Sequence, residues 1–521
     1  MVRTEIYDQE RIALIYLVNF TKSKSPTSLS PNFIFWEKCN TGLVSQDLSI
    51  FWRIINSKMA ASRGAFSSKL GFVAAAAGSA VGLGNIWRFP YEVGRNGGAA
   101  FLLVYLICIV LIGYPIMTGE ISIGRNTRSN PFRAYRKLGG LNWGLLGIWG
   151  IICGVMFLSV YNVVAGWAFG YFIGITFGDL MSEQDFGAYF TSSTADVSDN
   201  LIYSFAFMLI TAAIVSKGVA GGIEKASKIL MPLLLVLLIG LIIYSLSLPN
   251  AMEGVKYYLI PDFSAITVST IYSALGQAFF SLSMGMGALI TYGSYISKKD
   301  NITNSAALVT SIDTAVAFLA GLMVLPLVFS IGESPSAGPG LIFVSLPGIF
   351  QGMGPVAGKI VGSTFFLLLC FAALTSTISL LEIPSAFLVE EKKWSRKKVV
   401  WLSAIAIFLI GLPSMLSHGA VDSLTNFLSY EGKTKSFFDF VFDVFSDTGL
   451  PFGGLMMSIF ISRKWGMKNF DKEIASGNDS YLTSIWRTFL HITLKYVSPI
   501  LLGVIFVITI LEKFLGIKIF G

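Results

Sequence analysis

Histidine is nearly missing from this chain: His418 and His491 are the only two in 521 residues. That scarcity leaves little for a metal centre or a proton relay built on imidazole. The four cysteines are Cys39, Cys108, Cys153 and Cys370. Three lie in apolar segments, and their spacing gives neither a metal site nor a disulfide framework. Charge is the next shortage. Asp, Glu, Lys and Arg make up 13% of the residues, against about 25% in soluble domains. Hydrophobic residues reach 54% and the mean hydropathy is +0.69. A soluble globular domain is excluded, and an all-α polytopic membrane protein embedded in a lipid bilayer is expected. Nothing in this composition supports an enzyme.

What is abundant fits that reading. Forty-two Phe and ten Trp suit lipid-facing and interfacial surfaces. The net charge of +8 raises nucleic acid as a partner, but the placement of the charges assigns them to topology, and no nucleic-acid partner is expected. Residues 1–58 differ from the rest. "IALIYLVNF" is too short to span and lacks a small-residue cleavage site after it, while "FIFWEK" and "IFWRII" are interrupted by charge. This stretch reads as a disordered tail or as foreign to the native chain, with Met59 the expected start and no function assigned to 1–58.

About 20 apolar residues cross a bilayer. On that rule eleven spans are predicted, near 68–95, 99–123, 143–176, 200–216, 224–248, 266–296, 305–331, 357–388, 398–415, 436–462 and 486–513. Lys and Arg gather on alternate connections. They include Arg125, Arg128, Arg133, Arg136 and Lys137, then Lys217, Lys225 and Lys228, then "EEKKWSRKK" at 390–398. The 179–199 connection carries five acids and no Lys or Arg. The basic side is expected to be cytoplasmic, at an inner membrane, with the amino terminus inside and the carboxyl terminus outside.

Two of these spans are poor helices. "AAAAGSAVGLGNIWRFP" (74–90) mixes three close glycines with Asn, Arg and Pro, and "SLSMGMGALITYGSY" (281–295) packs small residues and glycines at mid-membrane. They are the first and sixth spans, which is the separation that a five-helix unit repeated with inverted topology requires. Paired interrupted spans in matching positions point to a transporter binding site. Each freed backbone group in hydrocarbon costs several kcal/mol unless satisfied; carbonyls suit a hard cation and exposed N–H groups suit a carboxylate. Close packing of small residues is the plainer alternative.

The motifs carry a resemblance. "GSAVGLGNIWRFPYEVGRNGGAAF" (78–101), "GYPIMTGEISIGR" (113–125), "GWAFGY" (166–171), "GQAFFSLSMGMGALITYGSY" (276–295) and "ALTSTISLLEIP" (373–384) resemble the first, second, third, sixth and eighth helices of the neurotransmitter:sodium symporter family, in its prokaryotic eleven-helix amino-acid branch. The resemblance implies one transporter domain over 59–521. Repeat one covers about 68–248, repeat two about 266–462, and an extra helix about 486–513. It implies sodium-coupled symport of an α-amino acid by alternating access. A non-transporting amino-acid sensor of the same fold is the alternative.

The resemblance also implies two sodium sites. The first takes the Ala80 carbonyl, Asn85, Ser281 and Asp313; many relatives have Asn where this chain has Asp313, so chloride is not expected as a co-ion. The second takes carbonyls of Gly78, Val81 and Ala372 with hydroxyls of Thr375 and Ser376. Gly82, where monoamine transporters carry an acid, leaves room for a substrate carboxylate, met by N–H groups near Gly82 and Leu83 and by the Tyr161 hydroxyl. The substrate ammonium meets carbonyls of Ala80, Phe280 and Ser281 with the Ser283 hydroxyl. Phe157, Tyr161, Phe280, Met286, Ser376 and Leu380 line the side-chain pocket, and an apolar substrate is favoured. Tyr161 and Phe280 form the lid. Above it Arg88 pairs with Asp443, or failing that with Asp439. The inner gate takes Arg63, Phe66, Ser294, Tyr295 and Glu390. Glu120 bonds loose backbone at the break in helix six. Gly222 and Pro232, with nine residues between them, mark a stretch of helix five able to unwind.

Overall fold

Ser68 begins the first span by accepting the Gly71 amide at 3.0 Å, and the helix Lys69–Ala80 follows. It stops where the glycines begin. Val81 is extended, and the chain re-enters helix through a π turn at Gly84–Arg88 and continues as Phe89–Arg95. The two halves meet at a bend of 52°. The computed structural model describes residues 64–330, 332, 340–430 and 432–517. The expectations for 1–58, for Met59 and for Arg63 therefore lie outside the described residues.

The sixth span is cut more severely. Val268–Ser281, opened by a Thr267–Thr270 capping box, is separated from the six-residue Ala288–Gly293 by a non-helical stretch. Ser283, Gly285 and Gly287 hold φ values of 52°, 87° and 79° there. An L side chain strains in that region, by about 1–3 kcal/mol. Two glycines remove most of the strain, and Ser283 bears it.

Between and after these breaks run long uninterrupted helices. Nine among the described residues are long and apolar enough to cross a membrane, and the bent first pair makes a tenth. They include Leu141–Phe177, Ile302–Phe329, Pro355–Lys392, Phe437–Ala475 and Ile485–Phe514. The sixth span fails that length test because its break divides it into pieces of 14 and 6 residues. Most predicted boundaries fall within three residues of the observed helix ends. The exceptions run long: the second span ends at Thr127, the fifth starts at Val219, the eighth ends at Lys392 and the tenth runs on to Ala475. Short helices at Pro131–Gly139, Phe186–Ala195 and Ala251–Leu259 occupy connections that hydropathy alone leaves blank. Among the described residues one feature departs from an all-α reading: an antiparallel hairpin pairs Leu428–Tyr430 with Lys433–Lys435.

The half-helix Lys69–Ala80 packs against Lys225–Leu246, Ile302–Phe329 and Pro355–Lys392. It is buried from Phe72 through Ala80 at all positions but Ala74. From Phe72 onward the first half-helix is enclosed by protein. That enclosure lets its backbone break without exposing polar groups to hydrocarbon.

Candidate ion and substrate site

The two breaks meet. Ser283 Oγ of the sixth span donates to the Ser79 carbonyl of the first at 3.2 Å. Gln277 Nε2 donates to the Gly84 carbonyl at 2.9 Å. Two polar clusters lie around this junction.

The first gathers Asn85, Ser281 and Asp313. Asn85 Nδ2 donates to Asp313 Oδ1 at 2.7 Å and lies 3.1 Å from both Ser281 Oγ and the Asp313 carbonyl. Ser281 Oγ donates to Asp313 Oδ2 at 2.9 Å. Asn85 Oδ1 accepts the Gly82 amide at 2.9 Å, which clamps the break. Asp313 is 0% exposed, and these hydrogen-bond partners are neutral. A carboxylate buried that way calls for a cation or a proton. Tyr105 is buried facing Asp313 and Ser281, and Gln277 Oε1 is buried in the same half-helix as Ser281.

The second cluster joins the first span to Pro355–Lys392. Thr375 Oγ1 donates to the Val81 carbonyl at 3.2 Å and to its own helix at Ala372 at 3.0 Å. Ser376 Oγ reaches the same Val81 carbonyl at 3.3 Å and that of Ser79 at 3.5 Å. Gly78 faces it, since a Cβ there would lie 3.3 Å from Thr375 Cβ. Among the described residues no three His, Cys, Asp or Glu side chains gather as a transition-metal site needs. The donors present are carbonyls, hydroxyls, an amide and one carboxylate. That set fits a hard monovalent cation.

The backbone at 82–83 is held close to helix three. Leu83 N donates to Tyr161 OH at 2.9 Å. A Cβ built on Gly82 would lie 2.4 Å from Ser376 Oγ and 2.7 Å from Tyr161 OH, so this position admits no side chain as packed. Phe157 packs against Tyr161 at a tilt and edge-on against Phe280, with centroids 5.4 and 5.6 Å away. Met286 and Leu380 are buried, and Ala80 is the last residue of the half-helix Lys69–Ala80. Glu120 Oε1 accepts the Gly285 amide at 2.8 Å, at the break itself.

Two cavities border the Phe280 ring. One, of about 240 Å³, is bounded by Leu83, Trp87, Phe157, Tyr161 and Phe442; the other, of about 440 Å³, by Ser269, Tyr272, Asp447 and Lys513. Arg88 borders both, with its guanidinium 4.6 Å above the Phe280 ring. Its carboxylate partner is not the expected one. Arg88 Nη1 meets Asp447 Oδ1 at 3.4 Å, whereas Asp443 binds Tyr430 OH and Lys513 and Asp439 caps its own helix at Ser436. The reason is a π turn over Phe442–Thr448. It shifts the register of the tenth span so that the later aspartate faces Arg88, a shift that regular helical spacing does not reveal.

The Phe66 ring packs edge-on against Phe72, Tyr292 and Tyr295, and Phe66 N donates to the Tyr295 carbonyl at 3.4 Å. Tyr295 OH donates to Glu382 at 2.6 Å, and Arg396 pairs with Glu382 at 2.6 Å. Glu390 accepts from the Asn130 amide and side chain. Ser294 Oγ is spent on its own helix at Thr291. Gly222 sits in a π turn at Val219–Glu224, ahead of Pro232 inside Lys225–Leu246. Sequence reasoning missed Asp447, Lys513, Glu382 and Arg396. Glu382, a lone charge inside the apolar run 373–389, was a usable signal for itself.

Comparison with known proteins places this geometry. The sodium:neurotransmitter symporter family matches residues 63–193 and 188–517. An uncharacterized sodium-dependent transporter of Bacillus subtilis, YhdH, is 38% identical over 444 residues, covering 85% of this chain and 96% of that protein. A sodium-dependent transporter of Haemophilus influenzae is 36% identical over 467 residues, covering 85% and 98%. The crystal structure of MhsT in complex with L-phenylalanine superposes with a TM-score of 0.78 at 43% identity, over 85% of this chain and 99% of that one.

Proposed function

Because the chain belongs to the sodium:neurotransmitter symporter family, and is thus a sodium-dependent membrane transporter rather than an enzyme, we propose that it carries an apolar α-amino acid into the cell with sodium. The observation that carries this reading is the buried Asp313 carboxylate at the junction of the two interrupted helices, with Asn85 and Ser281 as neutral partners. A sodium ion there would be held by Asn85, Ser281, Asp313 and the Ala80 carbonyl. A second would be held by Thr375, Ser376 and the carbonyls of Gly78, Val81 and Ala372. The fixed charge of Asp313 supplies locally what a chloride ion would supply, so transport proceeds without chloride.

The substrate carboxylate docks against the backbone at Gly82–Leu83 and the Tyr161 hydroxyl, where a side chain on residue 82 would stand in its way. Its ammonium meets carbonyls at Ala80, Phe280 and Ser281 and the Ser283 hydroxyl. Its side chain lies among Phe157, Phe280, Met286, Ser376 and Leu380. The apolar lining, and a structural neighbour that holds L-phenylalanine, both favour a hydrophobic amino acid. Arg88 and Asp447 close the outer side with Tyr161 and Phe280 beneath them; Phe66 and Tyr295 close the inner side. Two cations with a zwitterion move net positive charge inward, driven by about 2.3 kcal/mol per charge per 100 mV.

The interrupted Val268–Gly293 segment counts as the eleventh span. Residues 68–248 and 266–462 act as inverted repeats, with the basic connections and the amino terminus inside, and the carboxyl terminus outside. Uptake of labelled amino acids into proteoliposomes, under a sodium gradient and with chloride replaced by gluconate, tests the whole reading. A competition panel of all amino acids names the substrate. Binding without uptake would make the protein a sensor instead.

A further inference from the structure

The last span lies outside both proposed repeats, yet it ends in the outer gate. Its final turn, Ile510–Phe514, carries Lys513. The ammonium donates to Asp443 and, at 2.6 Å, to Asp447 Oδ2. Asp447 is therefore shared. One of its oxygens faces Lys513 at 2.6 Å and the other faces Arg88 at 3.4 Å. The lysine holds the closer place, and Arg88 divides its attention between Asp447, the Phe280 ring and Glu92, whose carboxylate is 3.6 Å from its Nε.

The surroundings fix Lys513 where it is. Its side chain is 17% exposed. The hairpin strand at Tyr430 stacks on Phe514 with centroids 5.6 Å apart, and Tyr430 OH donates to Asp443 at 2.8 Å. Burial and that neighbouring carboxylate push the Tyr430 phenol well above its ordinary value, so it stays a donor. Lys435 lies 3.5 Å from Asp443. Ser498–Thr509 packs along Gly449–Ile459 of the tenth span. Lys513, Asp443 and Asp447 thus belong to one packed pair of helices, while Arg88 rides on the first-span half-helix.

We propose that Lys513 is a positioning residue of the outer gate: it keeps Asp447 neutralised when Arg88 moves away, and so lowers the barrier to opening. This rests on the transport reading above. Parting a lone Arg–Asp pair leaves a poorly hydrated carboxylate behind. With Lys513 in place, opening exchanges a 3.4 Å contact while the 2.6 Å one persists. The half-helix Val268–Ser281 reaches the same end through Tyr272 OH and Thr509 Oγ1 at 2.8 Å, a neutral hydrogen bond that parts more readily than an ion pair.

The test places a cysteine at Ser273, which lines the 440 Å³ cavity, and follows its modification by a bulky membrane-impermeant thiol reagent in sodium. Cys108, Cys153 and Cys370 are buried, and protein lacking the new cysteine gives the background. Lys513→Gln should slow labelling about fivefold, as Arg88 takes over an ion pair with the strength of a good partly exposed one. Lys513→Arg should restore the parent rate. Lys513→Gln with Asp443→Asn should stay slow, because Asp447 is still left to Arg88. A parent rate in Lys513→Gln overturns the proposal. So does a parent rate in the double variant, which would make Lys513 a mere counter-ion for Asp443. Sodium-stimulated amino-acid binding by the parent is measured alongside. Its failure condemns the transport reading, whereas the labelling rates judge Lys513 on their own.

Discussion

Asn85 Nδ2 stands 2.7 Å from the Asp313 carboxylate, joining the broken first span to the unbroken seventh. The pair unites the donor of an interrupted helix with a charge fixed on a rigid one. Asp313→Asn keeps the shape and removes the charge. Sodium affinity should fall at least about thirtyfold, since losing one member of a buried charged contact costs about 2 kcal/mol or more. The readout is the sodium concentration giving half-maximal amino-acid binding. The same variant should gain a stimulation by chloride that is expected to be missing from the parent, measured on both in parallel. An unchanged sodium dependence would remove Asp313 from the ion site. Asn85→Ala should abolish sodium-stimulated binding altogether.

Gly82 offers a steric test. Its missing Cβ would lie 2.4 Å from Ser376 Oγ and 2.7 Å from Tyr161 OH. Gly82→Ala should destabilise the protein by about 1–3 kcal/mol through overpacking and weaken amino-acid binding. Ser376→Ala removes the nearer obstacle, so the double variant should recover part of the lost Tm in detergent. It should not recover substrate affinity, because the substrate's approach to the backbone remains blocked. Full recovery of both would mean that position 82 does not face the substrate.

The first and sixth helices announced their breaks, because glycine clusters inside apolar runs have few other uses. The residues facing them, Thr375 and Ser376, were identifiable through the resemblance; as isolated hydroxyls in a helix they would have bonded back to their own carbonyls. Thr375 does so even here, at Ala372. What stayed hidden is the pairing of charges. Asp439, Asp443 and Asp447 are four residues apart and share one face of a regular helix at successive turns, and the π turn at Phe442–Thr448 decides among them. Hydrogen-bond slippage of that kind leaves no mark in composition or periodicity. Lys513 escaped for another reason: a lysine near the end of a span is ordinarily an interfacial charge, and only the hairpin and the tenth helix make it an interior one.

Glu120 should behave as an acceptor for the Gly285 amide, 2.8 Å away. Glu120→Gln keeps an acceptor oxygen and should leave the Tm close to that of the parent. Glu120→Ala strands a buried N–H and should cost about 1–3 kcal/mol. Thermal unfolding of the purified protein separates the two. Equal losses in both variants would mean that the carboxylate charge, and not the hydrogen bond, supports the break.

The inner side turns on Glu382, which is 0% exposed and held by Arg396 at 2.6 Å and by Tyr295 OH at 2.6 Å. Arg396→Gln leaves the carboxylate with neutral donors and should destabilise by about 3–5 kcal/mol. Glu382→Gln with Arg396→Gln removes both charges and should regain much of that loss. Tyr295→Phe deletes one hydrogen bond to a charged group and should cost about 1.5–3 kcal/mol. It also frees the Phe66–Tyr295 contact from its anchor, so substrate should leave toward the basic side faster even after the stability effect is discounted. Efflux from preloaded proteoliposomes, compared with the Tm of each variant, distinguishes a gate from a structural ion pair: in a purely structural role, efflux would track Tm across all three variants.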